Sequence, residues 1–96
     1  MDVDSILEEV KSFINFTWED SAKEKRVKDY IASSMAYLEE VSGYSIDFEN
    51  DYLARELLFN RVLYMDSRAL DDFQKNYNGM LQELQIKYSV QNDNQC

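Results

Sequence analysis

A small all-α bundle of about four helices, with a long C-terminal helix and no substantial sheet, is the fold this sequence predicts. Three observations carry that prediction: apolar residues recur at three- and four-residue spacing nearly throughout, proline is absent, and only Gly43 and Gly79 interrupt the 96 residues. With 45% apolar and 14% aromatic residues, the chain can build one small core. A single domain is expected over residues 1–90. Gln91 to Cys96 are polar and aperiodic and are expected to form a flexible tail.

The first helix is expected from about Asp4, as N-cap, to near Asn15, with Ile6, Leu7, Val10, Phe13 and Ile14 on one stripe and Glu8 and Glu9 in the early turns. Phe16, Thr17 and Trp18 form a connector. A second helix starts around Glu19 to Ser21, where acidic residues suit the positive end of the helix dipole. Its inner face is Val27, Tyr30, Ile31, Ser34, Tyr37, Leu38 and Val41, and Lys23, Lys25, Lys28, Asp29, Glu39 and Glu40 point away. Ser42-Gly43 supplies the stop, since glycine tolerates the left-handed conformation that closes many helices.

Residues 44–50 read as a short loop in which Tyr44, Ile46 and Phe48 alternate, a pattern that also fits a brief extended piece. Asn50 or Asp51 caps the third helix. In this helix, Tyr52 to Met65, apolar side chains reach every side at about 100° per residue, and Arg55, Glu56, Asn60 and Arg61 scatter among them. Such a helix needs neighbours all round, and a chain of this length is near the lower limit for wrapping one of its own helices completely. Other subunits are therefore expected to cover part of it. From Ser67 onward, Leu70, Phe73, Tyr77, Met80 or Leu81, Leu84 and Tyr88 keep one phase across Gly79, which favours one long helix over two meeting at a kink.

Nineteen acids against ten bases and no histidine give a net charge of −9, and residues 1–50 hold twelve acids and five bases. Contact with the outside of a nucleic acid or an anionic membrane is disfavoured, because both need lysine and arginine against phosphate. The dense basic run Lys23 to Lys28 is interleaved with acid, which favours a solvated face over a nucleic-acid contact; docking on an acidic neighbour, including the next copy of the chain, is the other reading. Catalysis has little to build on: histidine is absent, the lone thiol is Cys96, and acid pairs such as Glu39/Glu40 diverge by about 100° on a helix. No catalytic, cofactor-binding or metal-ligating residue is assigned. One terminal cysteine excludes an intrachain disulfide, and the apolar stretches are too short to span a bilayer. A soluble protein made in a reducing cytosol is expected.

The residues singled out as subunit or partner contacts are Tyr44, Tyr52, Arg55, Glu56, Phe59, Arg61 and Tyr64. Amphipathic tyrosines suit interfaces, and the charges on an enclosed helix need partners within the chain or across a boundary.

The order of features, with Met35-Ala36-Tyr37-Leu38-Glu39-Glu40-Val41-Ser42-Gly43, Glu56 to Met65 and Ala69-Leu70-Asp71-Asp72-Phe73, resembles the small head-tail connector (adaptor) proteins of tailed bacteriophages, also known as DNA-packaging proteins. The likeness runs from about residue 4 to 88. It implies a non-enzymatic virion component, assembled in the host cytoplasm as a ring of about twelve copies beneath the portal protein. The ring would extend the DNA channel without sequence-specific binding and meet a tail-side stopper or completion protein. The rival expectation is a small acidic helical regulator or inhibitor that binds a basic protein partner through its first half.

Overall fold

The computed structural model describes the backbone of residues 3–14 and 21–94 and the side chains of 3–13 and 21–89. Four helices make up the described residues: α1 (Val3–Ile14), α2 (Ser21–Ser42), α3 (Tyr52–Asp66) and α4 (Leu70–Asn94). The expected connector and the end of the first helix at Asn15 lie outside them. α1 is already helical at Val3, the first described residue, which puts Asp4 in the first turn rather than at the cap. There its carboxylate pairs with Lys28 at 3.3 Å.

The central pair is α2 against α3; α1 packs on both from one side and α4 on both from the other. The body is flat, 49 × 27 × 17 Å along its principal axes. One continuous core fills it, with Ile6, Ile31, Leu38, Leu57, Leu58, Phe73 and Leu84 fully buried. The inner face of α2 is as the periodicity requires, with Val27, Ile31, Ser34 and Leu38 buried and Tyr30, Tyr37 and Val41 partly so. Three of its outward residues are corrected. Lys23 and Lys28 are half-covered and pair with Asp66 and Asp4, and Glu39 turns back so that Oε2 accepts the Ile46 N–H at 2.9 Å.

Gly43 ends α2 at φ +83°, donating its N–H to the Glu39 carbonyl at 2.9 Å. Residues 44–50 then form a loop with no strand. The Asp47 carboxylate accepts the Glu49 N–H at 3.1 Å and the Asn50 side-chain amide at 2.7 Å, and the resulting turn drives Phe48 into the core at 1% exposure. The Asn50 hydrogen bond, ahead of two backbone N–H bonds, holds the Asp47 carboxyl below its ordinary value. Asp51 is the cap of α3, accepting the Ala54 N–H at 3.1 Å.

The join between α3 and α4 corrects the expected start at Ser67. Ala69 N–H reaches back to the Tyr64 carbonyl at 2.7 Å and Arg68 N–H to Met65 at 3.1 Å, with Arg68 at φ +57°. This paired closure is the Schellman end of a helix, with arginine in the position glycine usually takes. α4 runs unbroken through Gly79, and its backbone stays helical to Asn94, beyond the tail boundary expected at Gln91.

Candidate contact surface

The third helix carries most of the residues singled out from the sequence, and its surroundings decide what each can do. Ala54, Leu57, Leu58, Arg61 and Val62 face inward and are buried. α1, α2 and α4 cover more of this helix than its all-round apolar pattern led one to expect. Its two exposed residues, Tyr52 and Glu56, are continued along one stripe at three- and four-residue spacing by the half-buried Phe59 and Leu63. Tyr52 is 79% exposed, Glu56 is exposed, and Phe59 and Leu63 are half-buried. From α1, Phe13 joins the stripe with its ring centroid 5.7 Å from that of Phe59. Phe13 was expected in the core stripe of α1 and is instead 44% exposed. At the far end the stripe runs into a shallow recess lined by Leu63, Tyr64, Ser67 and Ala69.

The charged residues on α3 divide. Arg55 is satisfied within the chain, pairing with Glu9, donating to the Glu49 carbonyl at 3.2 Å and lying 5.5 Å from the Phe59 ring centroid. Arg61 is corrected as a contact residue, because it points into the bundle and is only 8% exposed. Its guanidinium donates to Ser34 Oγ at 2.9 Å, approaches Met65 Sδ at 3.4 Å and lies 4.3 Å from the Tyr37 ring centroid. Among the described residues it forms no ion pair. Burial lowers its affinity for the proton, and the electron-rich ring beneath it offsets part of the desolvation. Tyr64 is half-buried, edge-on to Phe73 and Tyr77 with centroids 5.8 and 5.7 Å away, and its hydroxyl accepts from the Asn76 side-chain amide at 3.3 Å on the exposed side.

A second cluster ties the far end of α4 to the start of α3. Asp51 accepts from Lys87 Nζ at 2.9 Å and Tyr88 Oη at 2.6 Å while capping α3. Burial raises the Asp51 carboxyl, but these donors outweigh it and the net shift is downward. Burial, followed by the hydrogen bond to Asp51, pushes the Tyr88 hydroxyl well above its ordinary range. Tyr44 stacks on the Tyr88 ring at 6.4 Å and remains 40% exposed.

Of the seven residues singled out, Tyr52, Glu56 and Phe59 therefore share one outer face. Tyr44 lies by the α4 clasp, Arg55 is at the flank, Tyr64 lines the recess at the end of the stripe, and Arg61 is inside. The sequence missed Leu63 and Phe13 as surface residues because helical spacing reports a stripe without saying which stripe a neighbour will cover. Among the described residues no group of acids or cysteine is arranged to hold a metal ion, and no helix is long and apolar enough to cross a membrane. In comparisons with protein-family models, curated proteins and solved structures, none matches the chain.

Proposed function

We propose that this chain is a structural subunit of a phage head-tail connector, a copy in a ring that sits beneath the portal protein, lengthens the DNA channel and receives a tail-side protein. The observation that carries the reading is the exposed Tyr52 and Phe13 with the half-buried Phe59 and Leu63 beside them, on a chain whose residue pattern resembles that family. Its mechanism is geometric. Each copy offers an apolar face to the next, and many identical weak contacts stabilise a closed annulus. The loop at 44–50 and residues 89–96 are the segments proposed to touch neighbouring copies or the portal. Acidic residues facing the channel would let DNA slide, because the lumen would lack groups that neutralise phosphate.

Native mass spectrometry of the chain alone, and mixed with the portal protein of its own genome, tests this. Higher-order species in either sample support the reading. Monomers alone in both samples overturn it, and leave a small acidic regulator of a basic protein as the better account.

A further inference from the structure

Two opposite faces of the flat body are uncovered and differ in both shape and charge. On one, α3 presents the bulky stripe of Tyr52, Phe59 and Leu63 with the exposed carboxylate of Glu56 among them. On the other, the outward side of α2 presents Lys25, Asp29, Ala32, Ala36 and Glu40, all exposed, with Arg26 at the edge, so that its cations sit at the N-terminal end. Because α2 and α3 pack on each other through their buried sides, their outward sides look in opposite directions across the molecule. Lys23 and Lys28 are ion-paired to Asp66 and Asp4, whereas Lys25 and Arg26 have no ion pair among the described residues.

We propose that the α3 stripe of one copy docks on the outward face of α2 in a second copy, with Glu56 set against Lys25 and Arg26. This rests on the assembly reading above and names the two surfaces that would mate. Charge selects the occupant. Two α3 stripes meeting each other would place Glu56 against Glu56 on chains of net charge −9, whereas the N-terminal end of the α2 face brings Lys25 and Arg26 to it, with Glu40 about four turns away at the other end. Shape agrees, since Ala32 and Ala36 leave room for the rings of Tyr52 and Phe59, and the Tyr52 hydroxyl can donate to Asp29. A contact joining two different faces on opposite sides of a protomer is heterologous. It propagates from copy to copy until rotation closes a ring.

The test uses the full chain in two measurements. In the first, p-benzoylphenylalanine installed at position 52 is irradiated in whichever sample forms assemblies, the chain alone or the chain on the portal. Cross-links to residues 22–36 of another copy are expected. In the second, Glu56→Arg, or Lys25→Glu with Arg26→Glu, weakens assembly on the order of tenfold or more, and combining all three restores it. Circular dichroism checks that these surface variants remain folded. Cross-links to another α3, or assembly indifferent to both charge changes, overturn the pairing of faces and leave assembly standing. Absence of any assembly, alone and on the portal, removes both readings together.

Discussion

Asp51 shows how much one side chain can hold. It caps α3, takes a hydrogen bond from Tyr88 and pairs with Lys87, so that one carboxylate fixes the start of one helix and a late turn of another. Asp51→Ala is expected to destabilise the protein by about 2–4 kcal/mol, the cap contributing about 1 and the orphaned partners the rest, as read from urea unfolding. The sign of the pH dependence follows from the direction of the shift. The folded Asp51 carboxyl lies below its ordinary 3.8, so its contribution is complete above that value and is lost as pH falls through the lowered one. Tyr88 acts at the other end: raised above 10.0 when folded, its hydroxyl contributes fully below pH 10 and loses that contribution as pH climbs toward the folded value. Asp51→Asn, which keeps the cap, should flatten the acid limb of a stability profile. The structure settles the cap on Asp51; in the sequence it was legible as Asn50 or Asp51, because both precede an apolar run. Lys87 and Tyr88 were not, because contacts across 36 and 37 residues leave no local trace. Arg61 was misplaced for a related reason: a guanidinium held by a serine, a thioether and a tyrosine ring has no acidic partner to be read from spacing.

Helix boundaries were legible where glycine marks them. Gly43 announces the end of α2, and its φ of +83° is the reason a side chain there is strained. At the end of α3 the same left-handed position belongs to Arg68, so the helix stop is invisible to a reading based on glycine and the next helix was begun three residues early. Three substitutions separate these roles. Gly43→Ala should destabilise by about 1 kcal/mol, and Arg68→Gly should stabilise by up to about 1 kcal/mol, since each changes the fit to a left-handed residue. Gly79→Ala should stabilise by about 0.5–1 kcal/mol, because it sits inside α4 with nothing within 4 Å of an added Cβ. Thermal unfolding of the three variants checks the signs. A destabilised Gly79→Ala would mean that α4 needs flexibility at that point.

At the scale of the whole molecule, overall charge and local charge oppose one another. Each copy carries a net −9, so association brings like-charged bodies together while Glu56 and the Lys25–Arg26 pair attract. Salt screens both effects, with opposite consequences, and leaves burial of the Tyr52, Phe59 and Leu63 stripe almost untouched. Self-association should therefore shift by no more than about fivefold between roughly 50 and 500 mM salt, as measured by sedimentation equilibrium. Binding to a basic partner through the acidic first half has less cancellation, because its twelve acids outnumber its five bases and the net interaction is attractive. A loss on the order of a hundredfold or more over the same range would mean that charge holds the complex together, and would move the interpretation from a connector subunit to an acidic regulator.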